Sequence, residues 1–139
     1  MLKKSIDFEK YKRAFIKNTL PLHANEMKAD IIDRTQKGLD VNNNAFKKYS
    51  KGYAKEKAET FGSTTVNLTR TEAMLNAIDS KPINKGTTFG LRFFFNSKEQ
   101  NDKAYANQVT YNRKFFGFNK KEKDKIKERI IKSFKASIK

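Results

Sequence analysis

Cysteine is absent from this 139-residue chain, so it has neither disulfides nor thiolate metal sites. Histidine occurs once, as His23 close to Pro21. Without neighbouring ligands it cannot build a metal cluster, and it reads as a surface residue. A hydrolytic nucleophile needs a base beside it, and no other imidazole is available to be one. No run of about 18 apolar residues occurs, so no membrane-spanning helix is expected. Met1-Leu2-Lys3-Lys4 has no apolar stretch after it, so no secretory signal is expected either. Gly86-Thr87-Thr88-Phe89-Gly90 lacks the Lys-Ser/Thr ending of a phosphate loop. The 15 Asp and Glu are scattered among 31 Lys and Arg, a setting that suits solvated carboxylates better than acid–base work. No enzyme, cofactor or metal is expected.

What remains is large and basic. Apolar residues are only 37% of the chain, but they include twelve Phe and five Tyr. Each ring can bury roughly 150–250 Å², so one modest core in one domain is feasible. The net charge is +16, and the last twenty residues carry nine Lys and Arg against three acids. Such an excess favours an anionic partner, either nucleic acid or an acidic protein surface. Lysine greatly outnumbers arginine and asparagine is abundant, however, as an AT-rich genome would dictate. Charge alone therefore does not specify nucleic acid.

Periodicity predicts the elements. Phe8, Tyr11 and Phe15 place a helix over 7–18. Pro21 sits in the first turn of a second, over 22–37, which buries Met27, Ile31 and Ile32 and ends at Gly38. Residues 40–44 form a turn. Phe46, Tyr49 and Tyr53 fall on one helical face, although a loop with a single helical turn fits as well. Val66–Leu68 is a short extended piece. Thr69 with Glu72 resembles a capping box opening a helix over 70–79, with Met74, Leu75 and Ile78 inward and Pro82 as the stop. The clearest strand is 87–96, Ile83 fits a preceding strand or a turn, and 111–116 is a second extended segment. Between them Asp102 is placed to cap a helix over 103–110. Asn119 with Glu122 caps a last helix, with Ile126, Ile130, Ile131, Phe134 and Ile138 on one face and lysines on the other. The class is α+β: a single small domain, N-terminal helices and a basic C-terminal helix packed around a small antiparallel β-sheet.

Two patterns invite a binding reading. Arg92-Phe93-Phe94-Phe95 and Arg113-Lys114-Phe115-Phe116 interleave basic and aromatic residues, as a single-strand-binding groove would. Alternate residues of a strand face the core, however, so half of these rings are expected inside. The basic amphipathic last helix has a narrow apolar stripe and no Trp, which suits packing on the sheet better than lying on a membrane.

Four segments stand out in order. The first two are Ile31 to Asp40, with its Arg34-Thr35-x-x-Gly38-x-Asp40, and Phe46-x-x-Tyr49-Ser50-x-x-Tyr53-x-x-x-Lys57. The third is Val66 to Leu75, with Leu68-Thr69 and Met74-Leu75. The last joins Ala104, Ala106 and Gln108 to Arg113-Lys114-Phe115-Phe116-Gly117. Together they resemble the virion-morphogenesis family of tailed bacteriophages, the tail-completion proteins of Mu-like and related phages. Glu72 stands where the family usually has Gly, Lys114 where it has Pro, and the Gly expected after Gln108 is absent. The resemblance implies a non-enzymatic virion subunit, assembled in the host cytoplasm, that completes the tail or joins it to the head. It implies a homo-oligomeric ring, often six-fold, in contact with other neck and tail proteins and open to non-specific contact with DNA. Arg34, Phe46, Tyr49, Tyr53, Lys57, Arg70, Arg113, Phe115 and Phe116 are then the candidate interface residues. The competing expectation is a sequence-nonspecific nucleic-acid-binding protein.

Overall fold

The computed structural model describes residues 7–46, 48, 51–61, 72–86 and 88–138. Among these, six α-helices and a two-stranded antiparallel sheet make one α+β domain.

The first helix, α1 (Phe8–Asn18), starts where the Asp7 side chain accepts from the Lys10 backbone N–H at 3.0 Å. Thr19 ends α1 and opens α2 (Leu20–Gln36), with Pro21 in the first turn, where its missing N–H costs nothing. Leu20, Ala24, Met27, Ile31 and Thr35 recur at spacings of three and four and form the buried stripe of α2. Gly38 follows with φ +79°, the left-handed conformation that closes a helix. The expected turn is present. Asp40 Oδ1 accepts from the N–H groups of Asn42 and Asn44 at 2.8 and 2.9 Å, and Leu39 bridges to Ala45. Phe46 is buried just before α3 (Lys51–Phe61).

The helix expected over 70–79 is only α4 (Ala73–Asn76). Ile78 instead begins β1 (Ile78–Lys85), which pairs with β2 (Thr88–Phe95) from Ile78↔Phe95 to Lys85↔Thr88. Met74, Leu75 and Ile78 fit a helix and a helix-to-strand junction equally well, and the long-range pairing decides between them. Pro82 does not stop an element but lies within β1, tolerated because each strand of a hairpin has a free edge. The expected capping box rests on Thr69, which with Val66 and Leu68 lies outside the described residues. Glu72, its other member, precedes α4 in the left-handed conformation, at φ +54°, and makes no side-chain cap to that helix.

The next helix, α5 (Lys98–Tyr105), is capped by Ser97, whose Oγ accepts from the Gln100 N–H at 3.2 Å. Asp102, expected as the cap, lies inside it. A π-helical turn, 106–110, then leads into 111–116, which is not a strand. That segment's polar groups bond to side chains and to backbone outside any ladder, as described below. The expected capping box opens α6 (Lys120–Ser137): Asn119 Oδ1 accepts from the Glu122 N–H at 2.8 Å, and Glu122 Oε1 from the Asn119 N–H at 3.1 Å.

Two packed groups hold the domain. Ile31, Phe46, Met74, Leu75, Ile78, Ala104 and Phe115 form the main core, with Phe93, Phe95, Phe116 and Phe118 against it. Beside it Phe15 of α1, Phe89 of β2 and Phe134 of α6 meet with ring centroids 5.2–5.6 Å apart, edge to face. The basic last helix therefore docks on the sheet and α1. Lys12 is buried and donates to the Gly86 carbonyl, tying the hairpin turn to α1, while Glu9 balances its charge at 3.2 Å.

Candidate functional site

Two of the motif segments, and the cap of α6, meet at Arg34, on the last turn of α2. Its Nη1 donates to both carboxylate oxygens of Glu122, at 3.0 and 3.1 Å, and its Nη2 to the carbonyls of Phe115 and Gly117, each at 2.8 Å. The fork geometry of a guanidinium is what allows one side chain to bridge a carboxylate and two carbonyls at once. The surroundings reinforce it. Val41 donates to the Lys114 carbonyl at 2.7 Å, and Asn119 Nδ2 to the Val41 carbonyl at 2.9 Å. Gln108 Oε1 accepts from the Phe116 N–H at 3.2 Å, and Arg113 Nη1 donates to Asn107 Oδ1 at 3.4 Å. The 34–41 segment, the 107–117 segment and the cap of α6 are thus one polar network.

This network lies within the domain. Arg34 is 6% exposed, Phe46 6%, Lys57 3% and Phe115 0%, so these four candidate interface residues are internal supports and not contact side chains. Burial lowers the pKa of Lys57 from its ordinary value. Phe116, Tyr53 and Arg113 are half-buried and reach the surface in part. Tyr49 and Arg70 lie outside the described residues.

A surface that the sequence reading missed adjoins this network. Tyr105 and Val109, four residues apart on α5 and the π-helical turn after it, are 63% and 56% exposed, while Ala104, next to Tyr105 in α5, is buried. Tyr111 is 51% exposed and lies under the Arg113 guanidinium, 5.1 Å from the ring centroid. The signal was available in phase, since Tyr105 and Val109 share a helical face that excludes Ala104. Phe8, Leu22 and Ile131 are also exposed, on α1, α2 and α6.

Part of the charge of α6 is answered by α2. Arg129 reaches Glu26 at 3.4 Å. Nearby Asp30 has its pKa raised, chiefly by desolvation, with Arg129 opposing and Glu122, Asp33 and Glu26 adding to the rise. Among the described residues no group of three His, Asp or Glu could hold a metal ion, and no helix is long and apolar enough to cross a membrane. Comparison with protein families, with characterised proteins and with solved structures returned no match.

Proposed function

We propose that this chain is a non-enzymatic structural subunit of a tailed bacteriophage or prophage particle, a ring-forming neck or tail protein that completes the tail or joins it to the head. The observation that carries the reading is the convergence at Arg34. Motif segments about 80 residues apart in sequence, chosen only for their resemblance to one family, are bonded to one another through the residues that define them. A second feature agrees. Glu72 occupies the family's glycine position and has φ +54°, a conformation in which glycine is free of strain.

A closed ring needs two different surfaces on each subunit. Tyr105, Val109 and Tyr111 supply one, with the aromatic and apolar character that interface centres favour. The exposed Phe8, Leu22 and Ile131 supply candidates for the other. The network at Arg34 then acts as the scaffold that fixes the loop carrying Tyr111.

Inactivating the gene in the phage or prophage that carries it tests the reading. Electron microscopy of the lysate should show heads and tails that fail to join, or tails of aberrant length, restored by supplying the protein in trans. Normal infectious particles, together with a purified protein that stays monomeric at high concentration, would defeat it.

A further inference from the structure

We infer that the outer face of the β1–β2 hairpin is a contact surface for the phosphate backbone of double-stranded DNA. Side chains alternate across a strand. Phe89, Phe93 and Phe95 point to the helices, so Gly90, Arg92 and Phe94 of β2 point away from them, along with Asp79, Lys81, Ile83 and Lys85 of β1. Lys81 is paired directly across the strands with Arg92, and Lys85 lies on the same face, four residues on. All three are exposed. Like charges directly opposite in a hairpin repel, and a sheet built for its own stability avoids them. Among the described residues none of the three has a carboxylate within ion-pairing distance. The only acid on the face, Asp79, sits at its far end opposite Phe94, and its Oδ1 accepts from the Ser80 N–H.

The ligand follows from this arrangement. Three unanswered cations call for an anion with several charges in a row. At about 3.3 Å per residue, Lys81 and Lys85 are roughly 13 Å apart along the ribbon, a span that a chain of phosphates can match and a single carboxylate cannot. Gly90 leaves the centre of the face low: a Cβ there would meet nothing within 4 Å. A two-stranded ribbon is also what the major groove of B-form DNA admits, at roughly 12 Å wide. The face offers one half-buried ring, Phe94, too little for the successive stacking that single strands require. The solvent side of α6 is a poorer candidate despite its lysines, since Asp124 and Glu128 interrupt them.

The inference goes beyond the assembly reading and stands or falls separately from it, because its readout is a binding isotherm and not a particle. Anisotropy of a labelled 20-base-pair duplex, titrated with the full chain across a potassium chloride series, measures it. The variant K81Q/K85Q/R92Q should bind at least about tenfold more weakly at 0.1 M salt. Its log–log salt slope should be shallower by about 2.7, at roughly 0.9 per lost phosphate contact. Arg92→Gln alone should lower the slope by about 0.9. The equal-charge control K125Q/K132Q/K135Q on α6 should change affinity less than about threefold. Circular dichroism confirms that each variant is folded. Equal losses in both triple variants, no binding by the wild type at about 50 mM salt, or tighter binding to single-stranded DNA or polyglutamate than to the duplex would each overturn the inference.

Discussion

Replacing Arg34 with alanine should destabilise the domain by about 3 kcal/mol. The side chain makes four charge-assisted hydrogen bonds, two to Glu122 and one each to the carbonyls of Phe115 and Gly117. Breaking a fully buried pair by removing one partner costs about 3–5 kcal/mol. The Glu122 side chain is 29% exposed and keeps the Asn119 N–H, so water and the helix cap recover part of its loss. The two carbonyls recover less, since Phe115 is wholly buried. These offsets place the expected value at the lower end of the range. Lysine at this position should cost about half as much, because a single ammonium cannot serve a carboxylate and two carbonyls placed around a planar fork. Urea unfolding followed by circular dichroism gives the values, provided the denaturant slope is unchanged. A double-mutant cycle with Glu122→Gln should return a coupling of about 1–2 kcal/mol. A loss below about 1 kcal/mol for Arg34→Ala, or no coupling to Glu122, would refute the account of this network as a structural support.

Other expectations follow from single features of the molecule. Glu72→Gly should stabilise by about 0.5–1 kcal/mol, as relief of the left-handed strain outweighs the added freedom of the unfolded chain; a loss on urea unfolding would count against it. Asp30→Asn should stabilise at neutral pH, because the raised pKa means that folding disfavours the ionised carboxylate. Folding affinity for that proton makes wild-type stability rise as pH falls through the raised value, so the variant's advantage should vanish below the ordinary 3.8. A gain independent of pH would exclude the carboxylate as its source. Phe134→Ala should cost about 2–3 kcal/mol in thermal or urea unfolding, less than for a fully buried ring, because Phe134 retains some exposure. If the proposed ring assembly holds, changing Tyr105, Val109 and Tyr111 together to serine should leave the unfolding midpoint nearly unaltered and abolish self-association in sedimentation velocity. Self-association equal to wild type would exclude that surface as the contact.

The helices at either end were legible because their signals are local. Asp7, Pro21, Gly38, Asn119 and Glu122 act within a turn of their own position, and each does what its chemistry predicts. In the middle of the chain distant partners decide. Residues 78–82 look like the end of a helix followed by a proline stop; Ile83 alone suggests a strand or turn, and pairing with β2 makes all of 78–85 a strand. Residues 111–116 have the composition of a strand, but Gln108 and Arg34 claim the backbone groups of Phe115 and Phe116 that a ladder would use. The apolar pattern begins late and points to Asp102 as the cap of α5. Ser97 captures the Gln100 N–H one turn earlier, where the chain leaves β2.

The candidate site shows the same division in a different form. A motif picks out residues whose identity matters, and a buried arginine bridging two segments satisfies that as well as a surface contact does. Phe46 and Phe115 lie in one core, and Arg34 bonds to the Phe115 carbonyl. Their assignment to a contact surface required exposure, which motif spacing does not carry. Residues with surface character are instead neighbours of the motif: Tyr105, Val109 and Tyr111 stand on the loop and turn that Arg34, Gln108 and Arg113 hold in place. Under the proposed function such a division has a physical use. The support must keep one geometry and tolerates little change, whereas a contact surface must match its particular neighbour. The residues that mark the family are then the ones holding the loop, and those that choose the partner lie just outside the motif.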